Sequence, residues 1–166
     1  CSGCGVHGKL TEDHTPPKSV PRIGQADLMR LAEAINAEVL PKTSRYFQNG
    51  VKFKSMCDLC NNVRLGVDYD PHLAALANSL DGHLRQALFA PFHSQINLNR
   101  ALRSVAGHML AQRIEAYRDS AVREMLCTFF LDQKSVLPSD WYAYAWAFPY
   151  KPTIYVDAAV AMFRAT

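Results

Sequence analysis

Cys57-Asp58-Leu59-Cys60 is the stretch that most constrains the fold of this chain, and it has a counterpart in Cys1-Ser2-Gly3-Cys4. In each C-x-x-C pair the two intervening residues turn both sulfur atoms toward one point. One pair therefore supplies two of the four thiolates of a tetrahedral zinc site. We predict one closed structural zinc site whose ligands are Cys1, Cys4, Cys57 and Cys60. A redox role or a coincidence of spacing is the alternative.

The cysteine count argues against a disulfide framework. Five cysteines is an odd number, whereas small secreted domains normally use an even one. We expect Cys127, on the apolar face of a predicted helix, to be a buried thiol without a role. A lipid-modified Cys1, as in secreted lipoproteins, would leave Cys4 and the later pair unexplained. Since no run of about 20 apolar residues occurs, we expect a soluble, cytoplasmic protein with no membrane partner.

The composition is that of an ordinary globular protein. Of the 166 residues, 49% are hydrophobic and 20% charged, which excludes the disordered and collagen-like classes. This length fits one domain with an elaboration, or two small modules. The net charge of +3 is compatible with an anionic partner but does not require one, because many DNA-binding modules are far more basic.

Two strands and a helix are predicted around the cysteine pairs. The first strand covers residues 9–14 and is stopped by Pro16-Pro17, since consecutive prolines interrupt strand pairing. Residues 51–56 alternate apolar and polar side chains, as a half-buried strand does. A short helix is expected from Cys60 to about Gly66.

Three polar residues stand at the joints of this pattern. Asp13 and His14 close the first strand, and Asn61 follows the second cysteine pair. Adjacent residues on a strand point to opposite sides, so Asp13 and His14 can act together only if the strand ends or bulges there.

The order of these parts resembles the HNH, or ββα-metal, nucleases, most closely the four-cysteine variety typified by the phage endonuclease VII family. The resemblance covers residues 1–66, and it implies metal-dependent hydrolysis of DNA phosphodiester bonds. His14 would be the general base that deprotonates water. Asp13 and Asn61 would supply oxygen ligands to one catalytic Mg²⁺ or Mn²⁺. Proteins of this type occur in restriction, phage defence, mobile elements and recombination.

Each of these residues also has a plainer interpretation. Asp13 and His14 could be turn residues before the prolines, and Asn61 could be an ordinary residue at a helix start, with Asn62 able to take its place. A zinc module that binds nucleic acid or protein without catalysis is therefore the alternative function. A zinc-stabilised structural protein with a helical oligomer interface is a third hypothesis.

The rest of the chain predicts helices. Helical spacing over residues 25–40 indicates an insertion within the first module. Asp70-Pro71 begins one further helix, and Asn97 or Asn99 can cap a long one in which His108, like His83 in the helix before it, would be a packing residue. We predict an α+β fold with a zinc-stapled, treble-clef-like ββα-metal module at 1–66. A mainly α-helical domain follows at 67–166 and ends in a small β and aromatic segment.

Four basic residues lie near the predicted metal site in the sequence and are candidates to contact nucleic-acid phosphates. They are Lys18, Lys52, Lys54 and Arg64. Solvated surface is their alternative role. The expected partners are DNA and, through the helical domain, a second copy of the chain or another protein.

Overall fold

The protein has an α+β fold, as predicted. The structure, a computed structural model, describes residues 1–20, 25–29, 45–48, 51–85, 93, 95–113, 120–143, 153–156 and 160–163. In chain order the elements are β1 (Leu10–Thr15), β2 (Gln25–Met29), β3 (Arg45–Gln48), β4 (Val51–Cys57), α1 (Leu59–Tyr69), α2 (Asp70–Arg85), α3 (Leu98–Ala111), α4 (Ala121–Leu131), β5 (Thr153–Val156) and β6 (Val160–Phe163). Over these ranges, no helix combines the length and the apolar character needed to cross a bilayer.

β1 and β4 form an antiparallel pair, which confirms both predicted strands. The register runs from Leu10 opposite Cys57 to Thr15 opposite Val51, and it shifts between Thr11 and Glu12. Such a bulge leaves backbone groups outside the ladder and free to bond elsewhere. Beyond it the side chains alternate, with Asp13 and Thr15 buried and Glu12 exposed.

A second sheet has the strand order β3-β2-β5-β6. β2 pairs antiparallel with β3 and parallel with β5. The predicted helix over 25–40 is therefore wrong for residues 25–29, while residues 30–40 lie outside the described ranges. β2 has a hydrogen-bonded neighbour on both edges, and this long-range pairing outweighs the local helical spacing.

α1 is wound as a π-helix and runs directly into α2. At its end the Asp70 N–H donates to the carbonyl of Leu65, five residues earlier. The predicted end near Gly66 is wrong, because Leu65 and Tyr69 are both fully buried and the helix must continue to bring Tyr69 into the core. Pro71 is tolerated in the first turn of α2, where its missing N–H costs little.

α3 and α4 each begin at a residue whose side chain caps the helix. The Asn97 side chain accepts a hydrogen bond from the Arg100 N–H at 3.0 Å, which confirms one of the two predicted caps of α3. Ser120 caps α4 in the same way through the Arg123 N–H.

The described parts of residues 1–66 and 67–166 share one hydrophobic core. From the first segment come Met56, Cys60 and Leu65, and from the second come Tyr69, Ala106, Leu110, Ala111, Leu126, Phe129 and Phe130. The predicted domain boundary between residues 66 and 67 lies within α1, and residues on both sides of it contribute to this core. The helices are packed on the strands that carry the candidate site.

Two arginines, the buried Arg103 and the half-buried Arg64, donate hydrogen bonds at the C-terminal end of α4. Arg103 donates to the carbonyls of Phe129 and Asp132, and also to those of Gln133 and Ser135. Arg64 donates through Nη1 to the Leu131 carbonyl at 2.7 Å. Positive groups at this position satisfy helix-end carbonyls and oppose the negative end of the helix dipole.

Gly107 allows α3 to pack closely against Leu65 of α1 and Phe130 of α4. A Cβ at this position would lie 2.6 Å from Leu65 Cδ2 and 2.8 Å from Phe130 Cε2. We expect Gly107→Ala to lower the free energy of unfolding by about 1–3 kcal/mol through overpacking. Urea unfolding measures this change.

Gly82 in α2 provides the matched control. A Cβ there would meet nothing within 4 Å. Gly82→Ala should raise stability by up to about 1 kcal/mol, since alanine is the better helix former. A stabilising effect of Gly107→Ala would contradict the close packing described above.

Candidate functional site

Four cysteine thiols converge on one point. Two come from the segment before β1, and two come from the junction of β4 and α1. The Sγ atoms of Cys1, Cys4, Cys57 and Cys60 all lie within 4.8 Å of one another. Cys4 Sγ and Cys57 Sγ are 3.7 Å apart. Tetrahedral zinc with Zn–S bonds of about 2.3 Å requires sulfur separations of about 3.8 Å. The cluster thus has the donor type and spacing to hold a structural zinc ion.

Backbone contacts form the first knuckle and hold it against β4. The Gly5 N–H donates to the Cys1 carbonyl at 2.9 Å and closes the turn, while the Ser2 N–H donates to the Ser55 carbonyl at 2.9 Å. Gly3 lies so deep that a Cβ would come within 3.0 Å of Phe130 Cε1 and 3.3 Å of Cys60 Sγ. A larger residue at this position would force these neighbours to shift by a few tenths of an ångström, so the close packing favours glycine between the first two cysteines.

The first C-x-x-C knuckle also contacts α4 and the residues that follow α3. Arg123 Nη2 donates to the Ser2 carbonyl at 3.1 Å, and Arg113 Nε donates to Ser2 Oγ at 3.2 Å. Cys127 Sγ lies 3.8 Å from the same carbonyl. Cys127 is half-buried and outside the four-thiol cluster, and burial raises the pKa of its thiol.

The pKa values of Cys4 and Cys60 are shifted in opposite directions. Burial, together with the neighbouring thiols of Cys57 and Cys4, raises the pKa of Cys60 to about 12. Burial also opposes ionisation of Cys4, but hydrogen bonds at Val6, Cys57 and Cys60 outweigh it and lower the pKa of Cys4. An ion that binds all four sulfur atoms must therefore displace protons.

Asn61 links the start of α1 to the bulge in β1. Its Nδ2 donates to Thr11 Oγ1 at 2.9 Å and to the Glu12 carbonyl at 3.0 Å. Thr11 Oγ1 in turn donates to the Met56 carbonyl at 3.0 Å. A backbone carbonyl can only accept, so the amide orientation of Asn61 is determined and its Oδ1 is directed away from these bonds.

Asp13 and His14 lie on opposite sides of β1. Asp13 is 3% exposed and faces the helices, whereas His14 is half-buried beside its register partner Lys52. β1 continues to Thr15, and its bulge lies at Thr11/Glu12, so the strand does not turn the two side chains to one side. Burial, Lys18 and Lys52 together lower the pKa of His14, although Asp13 and Glu12 oppose them. His14 is therefore a neutral imidazole at neutral pH.

Asp13 belongs to a buried polar network with His108. His108 Nδ1 lies 2.8 Å from Asp13 Oδ2, and His108 Nε2 lies 3.1 Å from Asp70 Oδ1. Ser104 Oγ donates to Asp70 Oδ1 at 2.6 Å, and Thr15 Oγ1 donates to Asp13 Oδ2 at 3.4 Å. Ionised carboxylates can only accept, so both ring nitrogens of His108 carry protons.

The charge on His108 is maintained against burial. Burial lowers the pKa of this imidazole, but hydrogen bonds and attraction to Asp13 and Asp70 prevail and raise it to about 9. The sequence predicts a packing role for His108, whereas the structure places it between two carboxylates. Its two carboxylate partners, Asp13 and Asp70, are distant from it in the chain, so the only signal is a histidine on an apolar helix face, which needs a buried partner.

The four candidate phosphate-binding residues have different surroundings. Lys18 and Lys54 are exposed, and exposed Lys52 lies 3.5 Å from Glu12. Arg64 is directed inward to α4, and its buried Nε has no hydrogen-bond partner in the described part of the chain. Asn62, the alternative to Asn61, is exposed and donates to Asp58 at 2.6 Å.

Comparison with known proteins identifies no relative. No family model, curated protein or solved structure matches this chain. A four-cysteine cluster does not by itself identify a family, because unrelated folds carry such sites. The function must therefore be argued from the residues and their geometry.

The metal centre makes a direct prediction about metal content. We expect the purified protein to contain one zinc ion per chain, and Cys57→Ala to lose that ion and most of its thermal stability, since metal binding contributes directly to folding. Elemental analysis and thermal unfolding with and without a chelator measure both effects. Cys127→Ala is the control, because Cys127 lies outside the cluster, and it should retain the zinc. Equal melting of the metal-free and metal-loaded protein would exclude a structural ion.

The His108 network predicts how stability depends on pH. The pKa of His108 is about 9 in the folded protein, above its ordinary value of 6.5. Protonated His108 contributes to the free energy of unfolding. This contribution is fully present below pH 6.5 and is lost as the pH rises through 9, because the folded-state imidazole then loses its proton. The urea midpoint of the zinc-saturated protein should fall over this interval. The midpoint of His108→Gln, which starts lower, should fall less. Parallel profiles for the two proteins would rule out this coupling.

Proposed function

We propose that this protein is a metal-dependent endonuclease of the HNH type that hydrolyses DNA phosphodiester bonds. The observation that carries the proposal is the Asn61 contact with the bulge in β1, 3.0 Å from Nδ2 to the Glu12 carbonyl. It brings the start of α1 to the strand that bears Asp13 and His14. The antiparallel β1–β4 pair leading into α1 supports the same ββα arrangement.

His14 is the general base of the proposed reaction. A neutral imidazole can accept a proton at physiological pH, and the lowered pKa of His14 keeps it in this form. His14 takes a proton from a water molecule, and the resulting hydroxide attacks phosphorus in line with the leaving 3′ oxygen. The P–O3′ bond breaks, and a proton from solvent neutralises the departing oxygen.

Asn61 and Asp13 are the proposed ligands of one Mg²⁺ or Mn²⁺. Hard cations prefer oxygen ligands, and these two side chains offer an amide oxygen and a carboxylate. Asn61 would supply Oδ1, since its Nδ2 is bonded to Thr11 and Glu12. Asp13 would supply Oδ1, since Oδ2 is bonded to His108. Because Asp13 and His14 lie on opposite sides of β1, this assignment requires the strand to bend at His14 when the metal and the substrate bind. The bound cation would offset the charge that develops on the phosphate oxygens. We assign zinc to the four-cysteine site, where its role is structural.

Lys18 and Lys52 are the proposed phosphate contacts. Both are exposed, and both are close enough to His14 to lower its pKa. Lys54 is exposed and is a further candidate, whereas Arg64 is engaged at the end of α4. Contacts of lysine with phosphate release counterions, so DNA binding should weaken as salt rises.

A second candidate is a zinc module that binds nucleic acid or protein without catalysis. The burial of Asp13 favours it, since the carboxylate is 3% exposed and one of its oxygens is bonded to His108. A carboxylate whose role is only to neutralise His108 has no need of a cation. Binding of DNA without cleavage in the experiment below would support this second function.

Plasmid cleavage in Mn²⁺ or Mg²⁺ tests the catalytic assignment. We expect His14→Ala to lower the cleavage rate about 10²–10⁴-fold, as is typical for loss of a general base. His93→Ala, which changes an exposed histidine that has no role in the proposed reaction, is the matched control and should cleave normally. Zinc content and melting temperature should be equal in all three proteins. Unchanged cleavage by His14→Ala would defeat the assignment.

A further inference from the structure

We infer that Arg113 and Arg123 are positioning residues that hold the first C-x-x-C knuckle in the geometry needed to bind zinc. This inference concerns the four-cysteine site and does not depend on the proposed nuclease reaction. Arg123 Nη2 donates to the Ser2 carbonyl at 3.1 Å, and Arg113 Nε donates to Ser2 Oγ at 3.2 Å. Ser2 lies between Cys1 and Cys4, so both contacts act on the backbone that joins two of the four thiols.

Ser2 connects the knuckle to three distant parts of the chain. Its N–H donates to the Ser55 carbonyl of β4 at 2.9 Å, its carbonyl accepts from Arg123 of α4, and its hydroxyl accepts from Arg113 after α3. All three polar groups of Ser2 are thus bonded. Movement of Ser2 would displace the sulfur atoms on either side of it from the cluster. Partners of this kind behind the ligands fix their geometry at metal sites in general.

The backbone of Arg113 is a second observation in favour of a role for its side chain. Arg113 follows Gln112, the C-cap of α3, and has a φ of 53°, in the left-handed region. Glycine is the usual residue at this position, because a Cβ is disfavoured in left-handed backbone. An arginine there retains this unfavourable conformation and gains the contact with Ser2. A residue that served only to end α3 would not need a guanidinium group.

The two guanidinium groups also bring charge of the sign that the site needs. A divalent ion bound by four thiolates leaves an excess of negative charge. Cys60 is fully buried, where water screens such charge weakly. Within the described ranges, neither Arg113 nor Arg123 forms an ion pair with a carboxylate. No acid of these ranges therefore neutralises the positive charge that the two arginines place beside the knuckle.

Packing alone is the alternative role of the arginines, and substitution of Arg113 by glycine separates the two roles. If Arg113 only ends α3, Arg113→Gly relieves the left-handed backbone. Zinc affinity should then stay the same or rise, because metal binding is coupled to folding. If Arg113 positions the knuckle, zinc affinity should fall about 10-fold, as is typical when a partner behind a ligand is lost.

Competition of the zinc-loaded full chain with a chelator of known affinity measures these changes. We expect Arg123→Gln to weaken zinc binding about 10-fold. Arg123→Lys keeps the charge and one donor and should recover part of the loss. Arg100→Gln, at the opposite end of α3 from Arg113, is the matched control. Gly107→Ala removes no contact of Ser2, and it shows how much affinity is lost through destabilisation alone.

Ser2→Ala tests the Arg113 contact from its other side. This variant removes the hydroxyl that accepts from Arg113 and keeps the C-x-x-C spacing. It should weaken zinc binding, and the double variant with Arg113→Gly should lose less affinity than the two single losses combined, because both changes remove the same hydrogen bond. Independent, additive losses would contradict a shared role of the two residues.

Native zinc affinity in folded Arg113→Gly and Arg123→Gln would overturn the inference and leave the zinc assignment and the proposed function standing. If Arg123→Gln does not fold, native affinity in Arg113→Gly and Ser2→Ala overturns it instead. Absence of zinc from the native protein would overturn the inference together with the assignment of the four-cysteine site.

Discussion

The convergence of four thiols is the constraint on which the rest of the described structure depends. Cys1 and Cys4 lie at the start of the chain, and Cys57 and Cys60 lie at the junction of β4 and α1. Bringing these segments together closes a long loop, and the entropy of that closure must be offset by the contacts made there. The knuckle contributes Gly3 to the core, and two arginines hold it to the helices. A metal ion at the cluster would thus stabilise a junction between the start of the chain and the β4–α1 segment, which already pack closely together.

β1 is the element that this junction positions. Asn61 on α1 bonds to the backbone at the bulge, and His108 on α3 bonds to the Asp13 carboxylate. Removing one partner from a buried charged set typically costs about 3–5 kcal/mol, because the remaining charge is left without compensation. Such a strand cannot shift its register without breaking both contacts. The two contacts therefore fix the register of β1 against α1 and α3.

Several charged side chains of this protein form hydrogen bonds and ion pairs in its interior. Arg64 and Arg103 close the C-terminal end of α4, and His108 lies buried between two carboxylates. The two arginines and the two carboxylates carry opposite formal charges that cancel, so the net charge of +3 does not show where positive charge lies on the surface. Lys18 and Lys52 beside His14 are the positive groups whose position matters to the proposed function, because they act on the imidazole directly.

Part of this structure can be predicted from local patterns in the amino-acid sequence. The C-x-x-C spacing, the alternation in residues 51–56 and the cap at Asn97 each depend on neighbours within a few residues, and the thiol cluster, β4 and the start of α3 occur where these patterns indicate. Other features depend on partners that are distant in the chain. Residues 25–29 have helical spacing but form a strand, because they pair with β3 and β5. α1 continues beyond Gly66, because this brings Tyr69 into the core. The His108 network was likewise decided only by the tertiary structure, since burial determines which charges must find a partner and packing determines which partner is within reach.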